Sequence, residues 1–436
     1  MRPVKKPHLR DRMLARLESG RARLKAVLHP LAGRKLPRKL RADHVARLAA
    51  GWPEGVRSPE FEQLVGRIDT GPIHHGDRIE VYHRGPDALA AVRAAIGSAE
   101  TEILLETYIL KDDDTGLGLL GLLADAVRRG LKVRVLADAA GSWATKRRFW
   151  RQMESHGIET RLFHPLIGRF RDLLLRDHRK IIVVDRRIAF TGGMNIGNEY
   201  AVARAAQGGS VWRDSHVRLE GSAAWEMAVV FNEGWVRAGG APLRFPPHDP
   251  AWAEGAKTIV LDSRSGRGHQ ETASVLVLTM AAARKRLWIT NAYFAPQPGV
   301  LRSLRHAARR GVDVRLLLPA TSDMPIVRRA GHGSYARLLA SGVRIYEYQP
   351  TMLHAKTLVA DDWATMIGSS NLDYRSYYFN AECNVLILDA EIGQGMAATF
   401  TEDLRHAVEI TAEMWRQRSL FKKICDGLAR AISPLL

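Results

Sequence analysis

Short apolar runs rich in β-branched residues alternate along this chain with longer stretches of helical spacing, and the whole alternation occurs twice. Ile181-Ile182-Val183-Val184 and Thr357-Leu358-Val359-Ala360 are short, continuous and apolar, so both read as buried strands. Arg129-Gly130-Leu131-Lys132-Val133-Arg134-Val135-Leu136 matches Arg310-Gly311-Val312-Asp313-Val314-Arg315-Leu316-Leu317, a helix end, an Arg-Gly turn and a strand in each case. Glu106-Thr107-Tyr108 likewise matches Thr290-Asn291-Ala292-Tyr293, and residues 156–165 parallel 341–350. Strands alternating with helices predict βαβ units, hence an α/β fold of two pseudo-symmetric α/β/α lobes with mainly parallel sheets. A chain of 436 residues exceeds one ordinary core. Residues 71–245 and 246–404 are assigned to the two lobes, 1–70 to an N-terminal segment and 405–436 to a C-terminal helix.

The two end segments carry a different pattern. Leu9, Met13, Leu14, Leu17, Leu24, Val27, Leu28 and Leu31 recur at helical spacing, interrupted by Gly20 and Pro30. Trp415, Leu420, Phe421, Ile424, Leu428, Ile432, Leu435 and Leu436 do the same among Arg416, Arg418, Lys422, Lys423 and Arg430. Charge sharpens this reading, since the formal balance is +19 and the first fifty residues hold fifteen Lys and Arg against three Asp and Glu. Basic amphipathic segments suit an anionic membrane, and the same charge would also suit a nucleic-acid backbone. No run of eighteen apolar residues is present, so no transmembrane helix is expected. Without an apolar stretch behind Lys5 and Lys6, a secretory signal is not expected either, and a cytoplasmic location follows. Cys383 and Cys425 offer neither a disulfide framework nor a metal site, and no cofactor is called for.

Candidate chemistry sits beside the two apolar strands. His178-Arg179-Lys180 with Asp185 and His354-Ala355-Lys356 with Asp361 share the spacing H-x-K-x4-D. Each is followed at one offset by a small-residue turn and an amide, Gly192-Gly193-Met194-Asn195 and Gly368-Ser369-Ser370-Asn371. On a strand, residues i and i+2 share a face, so each histidine lies beside a lysine. An imidazole can act as nucleophile, base or acid near neutral pH. Lysine supplies fixed positive charge and asparagine an amide donor, both suited to an anionic centre, so the set fits phosphoryl chemistry without a metal. Asp185 and Asp361 stand just before turns, where aspartate caps backbone amides. A working histidine needs its second ring nitrogen fixed by an acceptor. Asp214 in Trp212-Arg213-Asp214 and Glu382 in Asn380-Ala381-Glu382 are candidates for that role, with Glu199 a third.

At these residues the chain resembles the phospholipase D superfamily over roughly residues 75 to 425. Glu106-Thr107-Tyr108-Ile109 with Asp113-Asp114-Thr115-Gly116, Asp138-Ala139-Ala140-Gly141-Ser142 and Ser370-Asn371-Leu372-Asp373-Tyr374-Arg375-Ser376 look like the bacterial cardiolipin synthase branch, in a short form without transmembrane helices. The resemblance implies that both motifs converge on one active site at the lobe interface. It implies a catalytic set of His178, Lys180, Asp185, His354, Lys356 and Asp361, with Asn195 and Asn371 on the phosphate oxygens and Asp214 and Glu382 orienting the histidines. One histidine would form a phosphohistidine and the other protonate the leaving alcohol, with His178 assigned as nucleophile although the halves are nearly equivalent. The implied activity is transphosphatidylation between two phosphatidylglycerol molecules, or to a related acceptor such as phosphatidylethanolamine, on the cytoplasmic face of an anionic membrane. No nucleic acid is expected as partner. Hydrolysis to phosphatidic acid and nuclease activity are the alternatives that the motif permits.

Overall fold

The computed structural model describes residues 46, 49–68, 71–164, 175–201, 209–245, 254–264 and 271–433. The amphipathic positions from Leu9 to Leu31, and residues 165–174 of the loop before His178, lie outside them.

The strands of the first lobe are β1 (Ile73–Arg84), β2 (Glu102–Thr107), β3 (Lys132–Asp138), β4 (Glu159–Phe163), β5 (Arg176–Asp177), β6 (Ile181–Val184), β7 (Ile188–Gly192) and β8 (Arg213–Glu220). Those of the second are β9 (Ala256–Ser263), β10 (Arg286–Asn291), β11 (Asp313–Pro319), β12 (Arg344–Tyr348), β13 (Lys356–Ala360), β14 (Ala364–Gly368), β15 (Asn380–Leu388) and β16 (Ala407–Ile410). They form one continuous sheet in the order β16-β12-β11-β10-β13-β14-β15-β9-β1-β8-β7-β6-β2-β3-β4, with β5 paired to β15 off that path. Helices α1 (Pro59–Arg67), α2 (Gly85–Gly97), α3 (Asp114–Arg128), α4 (Arg147–Ser155) and α5 (Ser222–Arg237) accompany the first lobe in sequence, and α6 (Glu271–Ala282), α7 (Pro298–Arg309), α8 (Pro325–Leu339), α9 (Tyr374–Tyr378) and α10 (Ala390–Leu404) the second. Two more, α11 (Ala412–Arg416) and α12 (Leu420–Ala431), end the described chain.

The expected α/β pair of lobes is present, and its sheet is mixed. Parallel pairing joins β2, β3 and β4 in one lobe and β10, β11 and β12 in the other, where helices provide the crossovers. The motif strands β6 and β13 are instead followed by tight turns, and so short a connection can close only an antiparallel hairpin. At those turns Asp185, Arg186, Asp361 and Asp362 all adopt positive φ, between 53° and 56°. Arg187 N–H donates to Val184 O and Trp363 N–H to Ala360 O, closing two turns of the primed type that match the sheet twist. Aspartate tolerates this conformation better than most residues.

The same turns settle where the two motif aspartates go. The Asp185 carboxylate accepts the backbone amides of Glu100, Thr101 and Glu102 at 2.7–3.0 Å and the Thr101 hydroxyl at 2.7 Å. Asp361 accepts those of Arg284, Lys285 and Arg286 at 2.7–3.0 Å. Each aspartate therefore ties its hairpin to the start of β2 or β10, at the end of the motif strand remote from the histidine. Both carboxylates, placed by resemblance in the catalytic set, thus meet backbone amides at the turns and not the two histidines.

A second difference lies at the N-terminal side. Ala49, Trp52, Val56, Phe61, Leu64 and Val65 are buried in one cluster with Ile259, Leu276, Leu278 and Leu304 of the second lobe. The Arg284 side chain fixes this packing by donating to Ala49 O and Trp52 O. Residues 49–68 thus belong to a core and not to a peripheral basic segment.

Replacing Asp185 by alanine removes a cap for three amides that water partly reaches, so it should cost roughly 1–2 kcal/mol, read as a lower urea midpoint. Burial raises the Asp185 pKa, but its hydrogen bonds outweigh burial and leave it below the ordinary 3.8. The contribution is therefore complete above that value and lost as pH falls further, so the gap between wild type and Asp185→Ala should close below about pH 4. A gap that persists in acid would show that the carboxylate charge is not what holds the turn.

Candidate active site

Each motif histidine is held by the opposite lobe. Strand β5 pairs in parallel with the start of β15, so that His178 N–H donates to Ala381 O at 2.9 Å. The His178 ring then lies with Nδ1 3.0 and 3.1 Å from the two carboxylate oxygens of Glu382. Symmetrically, Leu353 bridges Arg213, His354 N–H donates to Arg213 O at 2.7 Å, and His354 Nδ1 lies 2.8 Å from Asp214 Oδ2. A carboxylate accepting from Nδ1–H fixes the tautomer and leaves Nε2 with its lone pair. Both expected orienting acids thus reach a histidine, each across the interface. Glu199, the third candidate, forms an ion pair with Lys111 instead.

Side-chain space has been cleared for these contacts. A Cβ at Gly193 would fall 2.1 Å from Asp214 Oδ1, so only glycine leaves that carboxylate its place. At the matching position of the second half, Ser369 donates its hydroxyl to Glu382 at 2.5 Å. Asn380 adds a further contact to Glu382 at 3.3 Å.

The lysines lie beside the histidines, as strand alternation requires. Lys180 Nζ donates to His178 O at 2.8 Å, and Lys356 Nζ to His354 O. Tyr108 stacks edge-on to His178 with centroids 4.9 Å apart, and Tyr293 to His354 at 5.8 Å. These rings also lie under the lysine ammonium groups, at 5.4 Å for Lys180 over Tyr108 and 5.9 Å for Lys356 over Tyr293. Neither tyrosine was singled out as a site residue from sequence, although their duplication was the available signal. Tyr200 and Trp212 were missed as well. The Tyr200 hydroxyl is 3.2 Å from His354 Nδ1, and the Trp212 ring centroid is 5.5 Å from that of His354. Asn195 and Asn371 are buried at the ends of the two hairpins that carry the motifs. Asn195 accepts the Ile109 amide at 3.2 Å and lines a small cavity with Lys180.

Burial dominates the electrostatics. It pushes His178 well below the usual imidazole range, with the charges of Lys180, Lys356 and His354 acting the same way. His354 is lowered by burial and Lys356, against the opposing pull of Asp214. Lys180 is lowered by burial to about 7 and Lys356 to about 8. Glu382 is raised by burial to about 7, with Lys180 resisting. Buried ammonium and carboxylate groups poised near neutrality, beside imidazoles held neutral by burial, fit a site for proton traffic around an anion.

Known proteins of similar sequence bear on this arrangement. Residues 92–206 and 276–404 match the family model described as cardiolipin synthase, phospholipase D-like domain. Cardiolipin synthase 1 of Bacillus anthracis is 33% identical over 92% of this chain and 81% of its own length. The cardiolipin synthase of Geobacillus kaustophilus is 33% identical over 86% of this chain and 75% of its own. The crystal structure of a phosphatidylserine synthase from Haemophilus influenzae superposes with a TM-score of 0.67 at 13% identity, covering 86% of this chain and 98% of that one, and so shares the fold. With the family's domain matched once in each lobe and relatives this similar along most of their length, the chain belongs to the cardiolipin synthase family of phospholipase D-like enzymes.

Proposed function

We propose that this chain is a phosphatidyltransferase that makes cardiolipin from two molecules of phosphatidylglycerol through a phosphohistidine intermediate. The observation that carries the reading is the pair of buried histidines, each with Nδ1 on a carboxylate of the opposite lobe and each flanked by a lysine. His178 Nε2 attacks phosphorus of the donor, and the bond from phosphorus to the glycerol oxygen breaks as His354 delivers its proton to that oxygen. His354 then takes the proton from the hydroxyl of a second phosphatidylglycerol. That oxygen attacks phosphorus, the P–N bond breaks and cardiolipin is released. Lys180, Lys356, Asn195 and Asn371 hold the phosphate oxygens through both steps.

Asymmetry between the halves favours this division of labour. The carboxylate behind His178 rises to about 7 and is shared with Ser369, Asn380 and Lys180, so it is a weaker anchor for imidazolium and leaves the ring neutral for attack. Behind His354, Asp214 makes the shorter contact, and its charge favours protonation of that ring. Membrane lipids as substrates, and a site of action on the cytoplasmic face of an anionic membrane, follow from the same reading. Among the described residues no helix is long and apolar enough to cross a membrane.

Incubation with phosphatidylglycerol vesicles, with and without phosphatidylethanolamine, followed by lipid mass spectrometry, should give cardiolipin and free glycerol. Phosphatidic acid alone would make the chain a hydrolase, and no lipid product would sink the proposal. His178→Ala and His354→Ala should each lower turnover by at least about a hundred-fold, the low end for general acid–base catalysis. A phosphodiester with a nitrophenol leaving group needs little protonation, so it should rescue the first step in His354→Ala and not in His178→Ala. The reverse pattern would exchange the two roles. As pH rises through about 7 to 8 the lysines lose charge, so kcat/KM should fall there. A bound phosphodiester favours the charged ammonium, so the alkaline limb of kcat should lie at higher pH. Coincident limbs would remove the lysines from phosphate binding.

A further inference from the structure

Helix α12 is turned inside out. Leu420 and Phe421 are each 73% exposed, Leu428 66% and Ile424 52%, while Asp426 on the opposite side is only 3% exposed. At about 100° per residue, positions 420, 421, 424, 428 and 432 fall within roughly a third of the helix circumference, a continuous apolar stripe. The inward face is polar where it meets α8. Asp426 accepts from Arg418 at 2.6 Å and lies 3.7 Å from His332 Nδ1, and Arg430 donates to the Ser334 hydroxyl. Ala429 adds an apolar contact, joining Ala295, Val327 and Ala330 in a small cluster. An ordinary surface helix buries its apolar stripe and wets its charges, whereas this one is anchored by polar contacts with its stripe outward.

We infer that the outward face of α12 is a docking surface for an anionic lipid bilayer, seated beside the catalytic pair. Arg416, Lys422 and Lys423 lie in or next to the helix and are exposed, so the stripe is edged with positive charge. That charge discriminates between occupants. A second copy of a chain carrying +19 would bring the same basic residues against each other, whereas an anionic lipid surface complements both stripe and edge. Exposed Met324 and Ile326 extend the apolar face at the start of α8, where Pro325 and Lys422 line one cleft. The connection inward is short. Tyr293 packs on the Ala295–Val327–Ala330–Ala429 cluster, and its ring is 5.8 Å from that of His354. A bilayer met by α12 therefore holds its phosphodiester layer near the histidines. This benefit rests on the lipid reading above, while adsorption itself does not require turnover.

The test uses the full chain carrying Leu420→Ser and Phe421→Ser together, beside a control carrying Leu420→Met and Phe421→Leu. Partition onto vesicles of phosphatidylglycerol and phosphatidylcholine should weaken about ten-fold or more in the serine variant and be retained in the control. Turnover of a short-chain phosphatidylglycerol in detergent micelles should stay within about two-fold of wild type, showing an intact fold. Unchanged vesicle partition in the serine variant would overturn the inference. So would equal wild-type binding to neutral and anionic vesicles, or a wild-type dimer that the serine pair converts to monomer. If wild type adsorbs to vesicles and yields no lipid product, the proposed reaction fails and the docking surface stands.

Discussion

Reciprocal anchoring of each histidine by the other lobe is the constraint on which this structure depends. His178 without Glu382, or His354 without Asp214, would leave a buried imidazole N–H without its carboxylate acceptor, a penalty of about 1–3 kcal/mol for each. Neither lobe can therefore keep its half of the site alone. The remainder of the interface serves that end. Strand β9 pairs with both β1 and β15, making one sheet of two lobes. Arg179, between His178 and Lys180, reaches Asp262 and Glu106, and Arg213, next to Asp214, grips Asp403 at 2.6 and 3.0 Å. Arg179 is buried and Arg213 largely enclosed, and through Asp262 and Asp403 each binds a carboxylate across the interface, which locks the register of the strands that bear the motif histidines.

Within this shared frame the halves have diverged at a few positions. Gly193 makes room for Asp214, while Ser369 occupies the same place and binds Glu382. Arg179 in one motif corresponds to Ala355 in the other. Glu199 is neutralised by Lys111, whereas Arg375 at the matching position adds positive potential at His178. Tyr200 touches His354 Nδ1, and its counterpart Ser376 lies with Glu382. Duplicated backbone with unequal surroundings lets two identical imidazoles differ in proton affinity, as the proposed nucleophile and acid would have to.

Much of this was legible in the sequence because duplication exposes spacing. The histidines, lysines and asparagines were read from two copies of one pattern, and strand periodicity put each histidine beside its lysine. The two-lobe α/β fold followed from repeated strand and helix signals. The exchange of carboxylates was not legible, since the step from His178 to Asp214 is longer than that from His354 to Glu382 and only the pairing of β5 with β15 explains which acid meets which ring. Hairpins after the motifs hid the mixed character of the sheet, because a three-residue turn beside a strand looks like any other strand end. The burial of Trp52, Phe61 and Val65 in the second lobe was concealed by the basic composition of the residues before them. Orientation was also invisible at α12, where the apolar stripe was plain in the sequence and its outward direction depends on Asp426 and Arg430 finding His332 and Ser334 on α8.

Charge balance explains why such a site suits a phosphodiester. Two lysines face two carboxylates, and with both imidazoles neutral the set has no net charge. Sharing a proton between Lys180 and Glu382, both near 7, leaves that sum unchanged. In the proposed reaction a phosphodiester brings one negative charge into this low-dielectric space, which favours the charged form of the lysines and a proton on the imidazole beside Asp214. On the proposed reading that proton would make His354 the general acid and leave the other ring neutral for attack. A phosphomonoester dianion would call for a second proton, and placing it on His178 would remove the nucleophile. Under the proposed reaction, then, the groups touching the two histidines favour a diester monoanion over a monoester dianion.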